Sequence, residues 1–122
     1  MRFNLDAYLG VHPDALAIAS RRTELLAENL ANADTPGFRA RDIDFKSALA
    51  AAQHGHAATG GVDHALQGSL KYRVPLAPSL DGNTVDPQLE QAAFAENAVR
   101  YQATLTFLNA RFRSLMTAIT GQ

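Results

Sequence analysis

The sequence predicts a mainly α fold. Two long terminal helices pair as an antiparallel, coiled-coil-like hairpin, and an irregular middle segment contains short extended pieces. Three observations predict it. The 122 residues include 23 Ala and 15 Leu but only 7% aromatics, a composition that favours helix over sheet. No Gly and no interior Pro interrupts the stretch from Pro87 to Thr120. Apolar residues recur in both end segments at heptad spacing, the pattern of helices that pack along a seam. The predicted layout is an N-terminal helix within 1–34, a connecting turn with extended pieces and a flexible loop over 35–85, and a long C-terminal helix within 86–122.

Pro13 and Asp14 open the first helix, which runs to about Ala33. Leu9, Leu16, Ala19, Thr23, Leu26, Leu30 and Ala33 form its main seam, and Ala15, Ile18, Leu25, Asn29 and Asn32 form a weaker second row. Asn29 and Asn32 share one side of its last turns, where their amides can bond neighbouring carbonyls or a second chain; the plainer alternative is that they simply end the helix. Asp34-Thr35-Pro36-Gly37 stops it, with Pro-Gly suited to the centre of a type II turn. Phe38–Phe45 is short and extended, and a brief helix follows through Phe45 and Leu49 to Gln53. His54–Ser69 holds four Gly and almost no large apolar residue, so it reads as a flexible loop. Leu70–Val74 is a strand closed by Pro75 and Pro78, and Asp81-Gly82-Asn83 turns the chain into the last helix.

That last helix starts at Asp86-Pro87, an N-cap followed by proline at the first helical position, and stops at Gly121. About 33 residues at 1.5 Å each give a rod of about 50 Å. Phe94, Ala98, Tyr101, Leu105, Leu108, Phe112, Leu115 and Ile119 make its seam, and Val99, Phe107 and Met116 lie away from it. A helix with one strong and one weak apolar face touches more than its intramolecular partner, which points to self-assembly.

Composition excludes several functions. A formal charge of −1 excludes binding nucleic acid through an excess of Lys and Arg. With no Cys there is no disulfide, thiolate catalysis or Cys-ligated zinc. No apolar run approaches the ~20 residues of a membrane span, and the first residues lack the apolar stretch of a cleavable signal peptide. His54, His56 and His64, with Asp63, are the cluster nearest to a metal site, but their spacing matches no zinc pattern and they read as solvated loop histidines. The serines lack a nucleophile-elbow context and no glycine-rich phosphate loop follows a strand. Arg39, Arg41, Asp42 and Asp44 alternate along the extended piece and read as mutual surface pairs. No enzyme activity, cofactor or metal is expected. On these grounds alone the chain is an assembly subunit or, from a different class, a small cytoplasmic helical adaptor or export chaperone that binds a partner helix in a groove.

Asn29-Leu-Ala-Asn-Ala-Asp-Thr-Pro-Gly-Phe38 closely resembles the N-terminal motif of bacterial flagellar axial proteins, a group that includes rod, hook and hook-associated proteins. Ala40-Arg-Asp-Ile-Asp-Phe45, Asn97-Ala-Val-Arg-Tyr-Gln-Ala-Thr-Leu105 and Ala118-Ile-Thr-Gly121 are similar to proximal rod subunits. The short length leaves no room for the inserted domains of distal rod and hook proteins. The resemblance implies a coiled-coil inner domain, helical stacking around an export channel, and torque transmission from motor ring to drive shaft. It implies a place in the basal body, in the periplasm after unfolded export by the flagellar type III apparatus. FlgC-type rod subunits, FliE and the MS ring are the implied neighbours. Residue by residue, it implies that Asn29, Asn32, Thr35, Pro36 and Gly37 set the helix end and first turn. Leu105, Leu108, Phe112, Leu115 and Ile119 are expected to face Leu16, Leu26 and Leu30 within the subunit, and Arg39, Arg41, Asp42 and Asp44 to make inter-subunit contacts.

Overall fold

A computed structural model describes residues 3–55 and 61–121. In chain order the elements are α1 (Leu5–Leu9), α2 (His12–Ala31), β1 (Arg41–Ile43), α3 (Phe45–Gly55), α4 (Gly61–Ser69), β2 (Leu70–Tyr72) and α5 (Pro87–Thr120). Each boundary has a local cause. Asn4 caps α1 by accepting from the Ala7 amide at 3.2 Å. Gly10, at φ 64° and ψ −131°, then breaks the chain before α2 in a conformation suited to glycine. Asp86 caps α5 through the amides of Gln88 and Leu89, and Gly121 ends it in the left-handed conformation with its N–H on the Thr117 carbonyl.

α2 is the central element, packed against α5 and also against α3, α4 and β1. Ile18 and Leu25 of α2 are buried with Ile43, Ala48, Ala52 and Ala65, and Phe45, Leu49, Val62, Leu66 and Leu70 close around them. β1 and β2 pair antiparallel, Arg41 with Tyr72 and Ile43 with Leu70, which brings α3 and α4 back over α2. On the other side α5 runs antiparallel to α2. Asn29 meets Glu90, Ala19 meets Asn97, His12 stacks on Phe107, and Tyr8 bonds to Arg111.

The structure corrects the sequence reading in three places. The segment His54–Ser69 is not a loop throughout: α3 reaches Gly55 and α4 occupies Gly61–Ser69, while residues 56–60, with His56, lie outside the described residues. α4 covers the core there with buried Ala65 and Ser69 and half-buried Val62 and Leu66. On α2, the row with Ala15, Ile18, Leu25 and Asn29 is buried, together with Ala19 and Leu26, whereas Leu16 and Leu30 of the main seam are half-buried.

The third correction concerns α5. Its inner face is Glu90, Ala93, Asn97, Thr104 and Leu108, a heptad row rotated by one residue from the expected seam. Leu108 is buried, and Leu105 and Leu115 are half-buried. Phe94, Phe112 and Ile119, by contrast, are 37%, 44% and 72% exposed. The antiparallel register accounts for the far end. Asn29 already meets Glu90, His12 at the start of α2 meets Phe107 and Tyr8 meets Arg111, so Phe112–Thr120 run past α2 and cannot reach Leu26 or Leu30.

Candidate assembly interface

The Asn29–Gly37 motif is a joint rather than a simple helix end. Asn29 is buried and pairs with the Arg41 backbone in both directions, and its amide nitrogen also donates to Glu90 Oε2 at 3.0 Å. Asn32 donates back to the Glu28 carbonyl and accepts from the Thr35 hydroxyl at 3.1 Å. Pro36 and Gly37 form the expected turn: Gly37 has φ 74°, and the Phe38 amide donates to the Thr35 carbonyl at 3.2 Å. The buried Asn83 amide nitrogen lies within 2.9 Å of the carbonyls of Asn32, Ala33 and Thr35. It thereby satisfies acceptors that the end of α2 leaves open. Gly37 donates to the Asp81 carbonyl, and Thr84 bonds Phe38 and Ala40, so 81–84 lie alongside 37–40.

A charge network ties this joint to the helices. Arg22 of α2 grips Asp42 of β1 through two bonds of 2.9 and 3.0 Å. Arg73, just after β2, bridges Asp42 Oδ2 at 3.0 Å and Glu90 Oε1 at 2.6 Å. Two guanidinium groups and two carboxylates thus balance, and Glu90 is fully buried at the start of α5. Burial pushes the Asp42 carboxyl up, but the hydrogen bonds and charge of Arg22, the Ile43 amide and Arg73 outweigh it and hold the group below its ordinary value. The Arg22 guanidinium is raised, first by its hydrogen bond to Asp42.

The four residues of the extended piece therefore do not pair with one another. Asp42 is committed inside the subunit, and Asp44 accepts from Ser47 and from Lys71 at 3.1 Å. Arg41 reaches Glu28 at 3.3 Å, and Arg39 lies 4.2 Å above the exposed Tyr72 ring. Arg22, Arg73, Asn83, Glu90 and Asn97 were not expected as site residues. A signal for two of them did exist. Glu90 and Asn97 stand at heptad spacing with Ala93, Thr104 and Leu108, a second row of small and polar residues beside the apolar one.

α5 is consequently inverted relative to an ordinary surface helix. Toward α2 it buries one large apolar side chain, Leu108, along with Ala93 and three polar residues. Asn97 holds that seam by donating to the Ala19 carbonyl and the Thr23 hydroxyl, each at 2.8 Å. Toward solvent it presents Val99, Phe107, Phe112, Met116 and Ile119. A groove beside Phe94, Ala98 and Tyr101 separates it from Ser20 and Thr23 of α2. A helical scaffold that leaves large apolar side chains exposed along its longest helix is built to be covered by other helices.

A short scaffold joined at an Asn-rich turn, with large apolar side chains of its longest helix left open, is that of an assembly subunit. Residues 9–39, which include the joint, match the family described as Flagella basal body rod protein. The chain is 45% identical to the flagellar basal body rod protein FlgB of Aeromonas hydrophila, covering 100% of this chain and 99% of that one. It is 49% identical to FlgB of Cereibacter sphaeroides, covering 93% and 94%, and 44% identical to FlgB of Salmonella typhimurium, covering 96% of each. The chain belongs to the FlgB family of flagellar basal body rod proteins. It is a structural subunit of that rod, located in the basal body.

Proposed function

We propose that this subunit links the motor ring to the drive shaft and transmits torque by helix packing, without catalysis or a cofactor. FlgC-type rod subunits, FliE and the MS ring are its neighbours in this reading, and the flagellar type III apparatus delivers it to the periplasm. The observation that supports it is the inversion of α5. Val99, Phe107 and Met116 gain nothing by their exposure in the free subunit, and they line the long helix on which neighbouring helices can seat. The Arg22–Asp42–Arg73–Glu90 network holds α5 against the joint, so a load applied to its outer face passes into α2 and the sheet.

The test is Phe107→Asp combined with Met116→Asp, two exposed apolar residues on opposite sides of α5. The purified variant should keep its helical circular dichroism, be missing from isolated basal bodies and leave cells unable to swim. Full motility with both substitutions in place would refute the role of these exposed residues.

A further inference from the structure

A second feature lies at the opposite end of α5, where the helix begins. A cavity of about 400 Å³ opens there, lined by Ala33, Val74, Leu76, Asp81, Val85 and Leu89. The segment that walls it carries apolar side chains into solvent: Val74, Leu76 and Leu80 are 83%, 87% and 110% exposed. Pro75 and Pro78 lack amide donors, so this stretch cannot simply extend the β1–β2 pairing. At the far end, Phe112, Met116 and Ile119 follow at spacings of four and three on the turns that run beyond Arg111. They form one exposed stripe with no α2 residue opposite it.

The two ends also carry opposite charge. No Asp or Glu occurs after Glu96, while Arg111 and Arg113 stand near the helix end. Asp81 and Asp86 line the cavity with Arg73, whose charge is taken up by Asp42 and Glu90, and Asp34 follows Ala33 in the chain. Arg113 and Asp34 are exposed, and neither side chain has a bonding partner among the described residues.

We propose that the last turns of α5 in one subunit dock into the Val74–Leu89 cavity of a second copy. Phe112, Met116 and Ile119 enter the apolar lining, and Arg113 faces Asp34. This rests on the reading of the chain as an assembly subunit and names one of its contacts. The donor side chains stand about 35–45 Å from Leu89 of the cavity along a helix rising 1.5 Å per residue, so no subunit fills its own cavity. Because the two surfaces differ, the contact is heterologous and propagates from copy to copy instead of closing a dimer.

The native chain has no cysteine, which makes the contact directly testable. Two single-cysteine forms, Ile119→Cys and Leu76→Cys, are co-expressed in flagellated cells lacking the unmodified gene, and isolated basal bodies are oxidised. The expected result is a two-chain disulfide species at least tenfold more abundant than when either form is expressed alone. Basal bodies that contain both forms without this species would overturn the docking and leave the rod function standing. In a second arm, Arg113→Asp should reduce incorporation at least tenfold and Asp34→Arg in the same chain should restore it. Unchanged incorporation of Arg113→Asp also overturns the docking. Absence of the unmodified chain from basal bodies would overturn the assembly reading itself, and the proposal with it.

Discussion

Asn29 treats the backbone of Arg41 as a neighbouring strand would. Its amide nitrogen donates to the Arg41 carbonyl at 2.7 Å, and its oxygen accepts from the Arg41 amide at 3.1 Å. Asn29→Ala leaves that amide and carbonyl unpaired beside β1 and removes a donor from the buried Glu90. Lost partners of this kind cost about 1–3 kcal/mol each when buried. A loss of roughly 3 kcal/mol is expected by chemical denaturation, and Asn29→Asp should be worse because it faces Glu90 with a second carboxylate. Equal stability of the two variants would contradict the bonding described.

Acid should loosen the joint through Asp42. Its folded-state value is depressed, so it contributes stability above its ordinary value of 3.8, and that stability disappears as pH falls through the lower folded value. Thermal unfolding followed from pH 6 downward should show Tm falling below about pH 4. Asp42→Asn should be less stable at neutral pH, with Arg22 stripped of its carboxylate and Arg73 left with Glu90 alone, and should show a shallower acid slope. Parallel slopes would remove Asp42 from the account.

Gly37 and Gly82 are both left-handed, at φ 74° and 77°, and a Cβ on Gly82 would lie 3.7 Å from the Gly37 Cα. That separation is an ordinary contact, so backbone strain alone sets the effect. Gly37→Ala and Gly82→Ala should each cost about 1–2 kcal/mol. Denaturant midpoints check this, and a loss above about 4 kcal/mol would require a clash that the structure does not contain.

Asn97 offers a contrast on the α2–α5 seam. Asn97→Asp replaces a donor by a carboxylate aimed at the Ala19 carbonyl and the Thr23 hydroxyl. The cost should be about 3 kcal/mol or more, since a buried charged group loses its partners. Asn97→Ser, which retains a donor, should lose less. The order of the two midpoints decides the point.

Much of this fold was written in local signals. Asp86-Pro87 and Gly121 marked both ends of α5, and Pro36-Gly37 marked the turn after α2, because caps and turns depend on neighbouring residues. The pairing of Phe38–Phe45 with Leu70–Val74 was readable only as two extended pieces, not as a sheet. α4 escaped notice because Gly61 and Gly68 lower helix propensity, and the contact that secures it, Ala65 against the α2 core, is tertiary. The inner face of α5 was misplaced by one residue for a related reason. Hydrophobic periodicity assigns Phe94, Phe112 and Ile119 to the interior, and nothing local reveals that Arg73 and Asn29 make Glu90 a tolerable core residue.

The exposed apolar residues of α5 also change what the stability of this protein means. Any surface covered only when copies or partners meet makes folding and concentration inseparable. The midpoint of thermal unfolding is then a property of the solution as much as of the chain, and it should climb as the subunit is concentrated. A dilute sample and a crowded rod contain the same 122 residues at different depths in their free-energy wells.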